Sequence, residues 1–276
     1  MNLAISNIAW PVEQDAAVAA LLEREGVRAI EIAPTKLWPA PLEASAAEVS
    51  AYRRSWESRG MRIVAAQSLL FGQPDLTIFA DEATRARTLS YLDAIVKLCA
   101  DLGAEALVFG SPKNRRRDGL AADLAAPIAV DFFGRLGELA TRHGTTVVME
   151  ANPPQYGADF VTRAAEALTL VEQVNCFGFQ LHLDTACMTL AEDAVEEVIT
   201  AGAARLHHFH VSEPNLAPIG HGGVDHALFA RTLRSVGYDR WCSLEMRMVE
   251  PFAVADLEAA VRFAKRYYGS PDFASA

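Results

Sequence analysis

The chain alternates short, almost continuously apolar runs with longer stretches of helical periodicity, and it does so eight times. The runs are Leu3–Ile8, Ala29–Ala33, Arg62–Gln67, Ala106–Gly110, Thr145–Glu150, Gly178–Asp184, Arg205–Ser212 and Trp241–Met246. Strands covered by helices on both faces read this way, because neither face alternates with water. Between the runs, apolar residues recur at helical spacing, as in Leu89, Leu92, Val96, Cys99 and Leu102. Gly26, Gly60, Gly103, Gly144, Gly202 and Gly237 each precede a run by a few residues, where a left-handed C-cap would turn the chain back toward a sheet. Ser45 and Glu48 are spaced as a capping box for the second helix. An open doubly wound sheet shares this alternation but normally carries a glycine-rich phosphate turn after its first strand, and none follows Ile8. The pattern therefore predicts an α/β fold, a single-domain (β/α)8 TIM barrel over residues 1–276, with 269–276 as a short flexible tail. In such barrels chemistry sits at the C-terminal ends of the strands.

Composition narrows the class. Hydrophobic residues make up 51% of the chain and charged residues 22%, which excludes a disordered protein. A net charge of −10 opposes non-specific attraction to nucleic acid or anionic lipid, so neither is an expected partner and any anionic ligand needs a local basic pocket. Cys99, Cys176, Cys187 and Cys242 show no CxxC spacing and are read as buried thiols of a reducing compartment. The segment Met1–Trp10 reads as a strand rather than a signal peptide, and no apolar run reaches membrane-spanning length. These features together predict a cytoplasmic protein.

Four strand ends carry side chains suited to a metal. The surroundings TTVVMEANP, FGFQLHLDTACM, ARLHHFHVSEPN and RWCSLEMR place Glu150, Asp184, His210 and Glu245 at or near the ends of four successive runs. Three carboxylates and one imidazole on a common rim define an oxygen-rich site for one divalent ion, with Mn²⁺ first and Mg²⁺, Co²⁺ or Zn²⁺ as alternatives. Any one of these acids alone could equally cap a helix or pair with an arginine. Four together on successive strands point to a metal-dependent enzyme.

The segments VVMEANPPQYGADF, LHLDTACM, HFHVSEPN with GHGGVDH, and CSLEMR resemble the xylose-isomerase-like barrels of the sugar phosphate isomerase/epimerase superfamily, which includes ketose 3-epimerases, inosose-processing enzymes and endonuclease IV. The layout matches over most of the chain, and the motifs concentrate between Val147 and Arg247. The resemblance implies Glu150, Asp184, His210 and Glu245 as metal ligands and Glu150 and Glu245 as the catalytic acid–base pair of an enediolate mechanism. It also exposes departures. Free-ketose 3-epimerases commonly carry histidine, arginine and glutamate where this chain has Cys187, Leu216 and Tyr156, which argues against a plain ketohexose epimerase.

The remaining candidates are expected to meet the substrate. The SPKNRRR loop offers Lys113, Arg115, Arg116 and Arg117 to a phosphate or carboxylate, the alternative being a solvated charge run or subunit contact. Glu213 is implied as a hydroxyl ligand or proton relay, and Arg247, on the strand parity of Glu245, as a group that orients substrate or pairs with that acid. His182 and His208 share parity with Asp184 and His210 and are read as core groups supporting the ligands or, for His182, as touching substrate. His207 and His143 are read as structural or surface residues. Cys187 is expected at the substrate, His221 and His226 in the glycine-rich GHGGVDH loop are placed to contact it, and Trp10, Trp38 and Phe71 follow strands one to three as pocket walls. The C-terminal helix Ala253–Tyr268 carries Phe263, Tyr267 and Tyr268, which pack on the barrel or serve a homo-oligomer. The predicted activity is isomerisation or epimerisation of a small sugar, phosphorylated or acidic in one version, by proton transfer beside a carbonyl. Dehydration of a keto-sugar or cyclitol on the same cage is the alternative, and a non-catalytic sugar- or partner-binding barrel is the alternative of another class. An endonuclease-IV-like phosphodiesterase fits less well, because all seven histidines follow residue 142.

Overall fold

In the computed structural model, which describes residues 1–269, the eight runs become eight strands and the intervening periodic stretches become eight principal helices. They follow as β1 Asn2–Ser6, α1 Asp15–Arg24, β2 Ala29–Ile32, α2 Ala46–Glu57, β3 Arg62–Ala66, α3 Glu82–Leu102, β4 Ala106–Phe109 and α4 Ala122–Arg142. The second half runs β5 Thr146–Glu150, α5 Ala164–Val174, β6 Phe179–Asp184, α6 Val195–Gly202, β7 Leu206–Ser212, α7 His226–Ser235, β8 Trp241–Glu245 and α8 Val254–Tyr268. All neighbouring strands pair in parallel, and β8 closes on β1. The TIM barrel read from the alternation is the observed fold. Most of the expected tail lies at 270–276, outside the described residues.

Local chemistry explains the element ends. Ser45 and Glu48 form the capping box, with the Ser45 side chain accepting from Glu48 N and the Glu48 carboxylate accepting from Ser45 N at 2.8 Å. Gly103 closes α3 at φ +100°, a conformation that glycine adopts without a side-chain penalty. Gly202 departs from the expected pattern: it is the last residue of α6, and a methyl group there would approach Leu181 Cδ2 to 2.7 Å. It serves close helix–strand packing, where glycine is needed for space rather than for backbone freedom.

Two apolar layers result. The larger core fills the space between strands and helices, with Trp10, Trp56, Phe132, Phe133, Phe179 and Phe209 among its buried aromatics. Inside the barrel, Ala4, Ala29, Val64, Ala106, Val108 and Val148 form a second cluster of small side chains. Above it the inward positions turn polar, with Glu31, His182, His208, His210 and Ser243 all buried. That change from small apolar to buried polar along the strands marks where the site begins. The helix α8 packs through Leu257, Val261, Ala264 and the fully buried Tyr268, while Phe263 and Tyr267 are half-buried beside His226. Docking on the barrel thus accounts for the aromatic face. No helix among the described residues is long and apolar enough to cross a membrane.

Candidate metal centre

Strand register brings the four ligand-type residues together. Glu150 pairs with His182, Asp184 with His210, and Ser212 with Glu245, so the pairing climbs by two residues from strand to strand as a tilted barrel requires. One candidate ligand atom each from Glu150, Asp184, His210 and Glu245 lies within 4.8 Å of all the others. His210 Nδ1 stands 3.3 Å from Glu245 Oε2 and 3.9 Å from Glu150 Oε1. It is buried and has no hydrogen-bond partner among the described residues. Its other ring nitrogen faces Glu31, at 3.0 and 3.1 Å from the two carboxylate oxygens. A carboxylate behind a ligating histidine fixes the ring and makes the free nitrogen a better donor.

Glu150 and Glu245 are each held through one oxygen, and Asp184 through both. Asn152 Nδ2 donates to Glu150 Oε2 at 2.9 Å, leaving Oε1 toward the cluster. Gln67 Nε2 donates to Glu245 Oε1 at 2.6 Å, and Ser6 Oγ in turn donates to Gln67 Oε1 at 2.8 Å. Asp184 accepts from Cys187 N at 2.6 Å on one oxygen and from Ser212 Oγ on the other. Gly110 leaves room for this arrangement, since a methyl group there would collide with Glu150 Oε2.

Burial and mutual repulsion shift the acids of the cluster. Burial first, then the Glu245 and Asp184 carboxylates, push Glu150 up to about 8, and burial with Glu245 raises Asp184. Burial alone would lower His210, but Glu31 and Glu245 outweigh it and raise the imidazole well above its usual range. Glu31 is held well below the carboxylate range because His210 and His208 overcome its burial. Three acids crowded around an imidazole nitrogen that makes no hydrogen bond of good geometry would be stabilised by a doubly charged cation, and the donor set fits one. These four residues could hold a divalent metal.

The structure relocates several expected substrate groups. Arg115 is fully buried and commits all five N–H donors: Nε to Gly110 O, Nη1 to Phe160 O and Val161 O, and Nη2 to Glu150 O and Asn152 Oδ1. It is a structural clamp with nothing left for a ligand. Arg116 pairs with Asp118, and Arg117 bonds to Asp159, whereas Lys113 is exposed. Trp10 is buried against Trp56 and donates to Asp15 at 2.7 Å, so it belongs to the core rather than the pocket. Glu213 accepts from Gly220 N, Val224 N and His226 Nε2, and therefore organises the 213–226 loop instead of offering itself to hydroxyls. His226 is buried between Glu213 and Tyr268, and His221 is exposed at the loop surface. Phe71 is 68% exposed and Trp38 half-buried. Arg247 does not pair with Glu245: its Nη2 donates to Asn215 O at 3.0 Å.

Among the positions expected at the substrate, Cys187 and Arg247 line a cleft of about 320 Å³ with Glu150, Asp184 and Glu245. His182 lies beneath it, fully buried, 3.8 Å from Glu150 Oε1 and in edge contact with His210. Sequence reasoning missed Glu31, Gln67, Asn152 and Ser212 as parts of the site, and noted Tyr156 only as a departure from the epimerase pattern. A lone acid inside AIEI was the available signal for Glu31, and an amide two residues after Glu150 was the signal for Asn152.

A family model for the xylose isomerase-like TIM barrel matches residues 19–267, and the chain belongs to that family. Among curated proteins, a ketose 3-epimerase of Arthrobacter globiformis is 28% identical over 151 residues, 54% of this chain and 51% of that protein. An L-ribulose 3-epimerase of Mesorhizobium japonicum is 27% identical over 165 residues, 58% of this chain and 54% of its own length. The matched region thus spans about half the length of these two relatives. A crystal structure of D-psicose 3-epimerase in the presence of D-fructose superposes with a TM-score of 0.81 at 19% identity, covering 98% of this chain and 100% of that one. At that identity the likeness concerns the fold.

Proposed function

We propose that the protein is a divalent-metal-dependent sugar epimerase or isomerase that moves a proton at the carbon beside a carbonyl. The observation that carries this reading is the convergence of Glu150, Asp184, Glu245 and the unpartnered Nδ1 of His210 at the C-terminal rim. The similarity to proteins named ketose 3-epimerase and L-ribulose 3-epimerase supports it. An oxygen-rich set favours Mn²⁺, with Mg²⁺, Co²⁺ and Zn²⁺ as alternatives. When bound, such an ion would polarise a carbonyl and acidify the neighbouring C–H.

The chain's own residues then divide the proton work. Glu150 and Glu245 come from strands on opposite flanks of Asp184 and His210, and each is held by an amide through one oxygen while the other faces the cluster. One acid takes the substrate proton and the other returns one, which inverts the centre if they approach opposite faces. Cytoplasmic residence belongs to the same reading and is supported by four cysteines that all stay unpaired.

Elemental mass spectrometry of the protein purified without chelators, alongside His210→Ala and Glu245→Gln, tests the site. We expect near-stoichiometric metal that falls in the folded variants, and solvent-deuterium incorporation into a ketose at unchanged product mass apart from the label. Absence of metal even after incubation with Mn²⁺, Mg²⁺, Co²⁺ and Zn²⁺ would sink the reading, and a product lighter by one water would replace it with dehydration.

A further inference from the structure

Resting on that reading, the outer half of the cleft narrows the class of substrate. Most of its polar groups are already committed: Asn152 to Glu150 and Arg115, Ser212 to Asp184 and Ala186 N. Pro112, Ala186, Cys187 and Leu216 supply little hydrogen bonding. A polyhydroxylated chain would find few partners along that wall, and unpartnered hydroxyls taken out of water are costly. One edge is different. Asn215 N donates to Tyr156 Oη at 2.8 Å, and Arg247 Nη2 donates to Asn215 O at 3.0 Å, so three loops, after β5, β7 and β8, are tied into a continuous polar rim.

That rim presents donors. The Tyr156 hydroxyl still has its own proton to give, the Asn215 side-chain amide has no partner among the described residues, and the Arg247 guanidinium keeps Nε and Nη1 unassigned. No carboxylate lies within ion-pair distance of Arg247 among the described residues. The backbone is forced into place there: Asn215 and Leu216 stand in the left-handed region at φ +60° and +55°, which is unfavourable for leucine. An arginine anchored through Nη2, with its Nε and Nη1 left over beside a phenol and an amide, recognises an oxyanion. The rim shares the cleft with Glu150, Asp184 and Glu245, and among the described residues Arg247 is the one cationic side chain that lines it, so an anionic end would be held there against the acids' charge.

We infer that Tyr156, Asn215 and Arg247 form a subsite for an anionic group of the substrate, a carboxylate or a phosphate, at the edge of the cleft that the metal-ligand residues also line. The substrate class is a keto sugar whose binding in the outer cleft rests on its acidic terminus rather than on its hydroxyls.

The test compares deuterium incorporation into D-fructose, D-fructose 6-phosphate and the corresponding keto-uronate by the Mn²⁺-incubated protein, Arg247→Met and Arg247→Lys. We expect the charged substrates to exceed fructose in kcat/KM, with the selectivity ratio falling roughly tenfold to a hundredfold in Arg247→Met, the size of lost hydrogen bonds to a charged group, and partly restored in Arg247→Lys. Preference for the phosphate over the uronate, or the reverse, identifies the anion. Preference for fructose, or a ratio unmoved by Arg247→Met, overturns the subsite. If no substrate exchanges, calorimetric binding of the same two anions decides separately. Arg247-dependent binding upholds the subsite while the epimerase reading falls, and binding that is absent or indifferent to Arg247 overturns the subsite itself.

Discussion

His210 is shared between two demands, one ring nitrogen fixed by Glu31 and the other left for a cation. Replacing Glu31 with glutamine keeps the shape but removes the charge that orders and activates the ring. We expect metal affinity to fall about tenfold to a hundredfold in Glu31→Gln, measured by calorimetric titration, with the fold retained. Unchanged affinity would show that Glu31 merely fills the barrel. Protonation follows from the same geometry. Glu150 is pushed up to about 8, so near pH 7 it holds a proton that a metal must displace, and the raised His210 imidazole must also release one from Nδ1. Affinity is therefore expected to rise with pH, with the Glu150 contribution ending above about pH 8, where that group is already ionised. Titration in buffers of differing ionisation enthalpy counts the protons: at least about one should be released at pH 7 and fewer at pH 9. A pH-independent affinity would contradict this assignment.

At the scale of the elements, Arg115 ties the end of β4 to the end of β5. It bonds Gly110 O, Glu150 O, Asn152 Oδ1 and the backbone at 160–161, so the amide that positions Glu150 is itself positioned by a buried guanidinium. Arg115→Met removes the guanidinium donors of four carbonyls and one amide oxygen, of which Val161 O keeps Asn152 N, and we expect destabilisation of about 3–5 kcal/mol by denaturant unfolding, of the order found when a buried charge network loses a member. A change near zero would return Arg115 to the ligand role expected from its neighbours. Gly110→Ala should leave the strands intact yet lower metal affinity, because the new methyl group displaces the Glu150 carboxylate; unaltered metal titration would oppose that. These two residues show where sequence was legible. Strand ends and the Glu, Asp, His, Glu order follow from apolar runs and residue chemistry, which are local properties. Whether an arginine in SPKNRRR faces solvent or the core depends on carbonyls at 150 and 160–161, far along the chain, and no local pattern records them. Trp10 was misplaced for the same reason, since its partner Trp56 lies on another element.

For the whole molecule, closure of the barrel forces charge together that an open chain would keep apart. Eight strands bring Glu31, Glu150, Asp184 and Glu245 around one histidine cluster, within a protein whose net charge is already −10. Folding without a cation therefore carries a repulsive cost at the C-terminal rim, relieved in part by the proton on Glu150. An ion that binds the folded barrel and not the unfolded chain must stabilise it by mass action, by about 2.7 kcal/mol at a hundredfold excess over Kd. For a chain of this size that corresponds to a rise in Tm of roughly 5–10 °C. Thermal unfolding after chelation, then with Mn²⁺ restored, should show this shift in the native protein and lose it in His210→Ala, where the cage has lost its nitrogen. A shift of equal size in His210→Ala would place the ion elsewhere on the acidic surface. No shift in either protein would mean that the barrel tolerates its clustered acids by protonation alone, and that the four strand ends do not form a metal site.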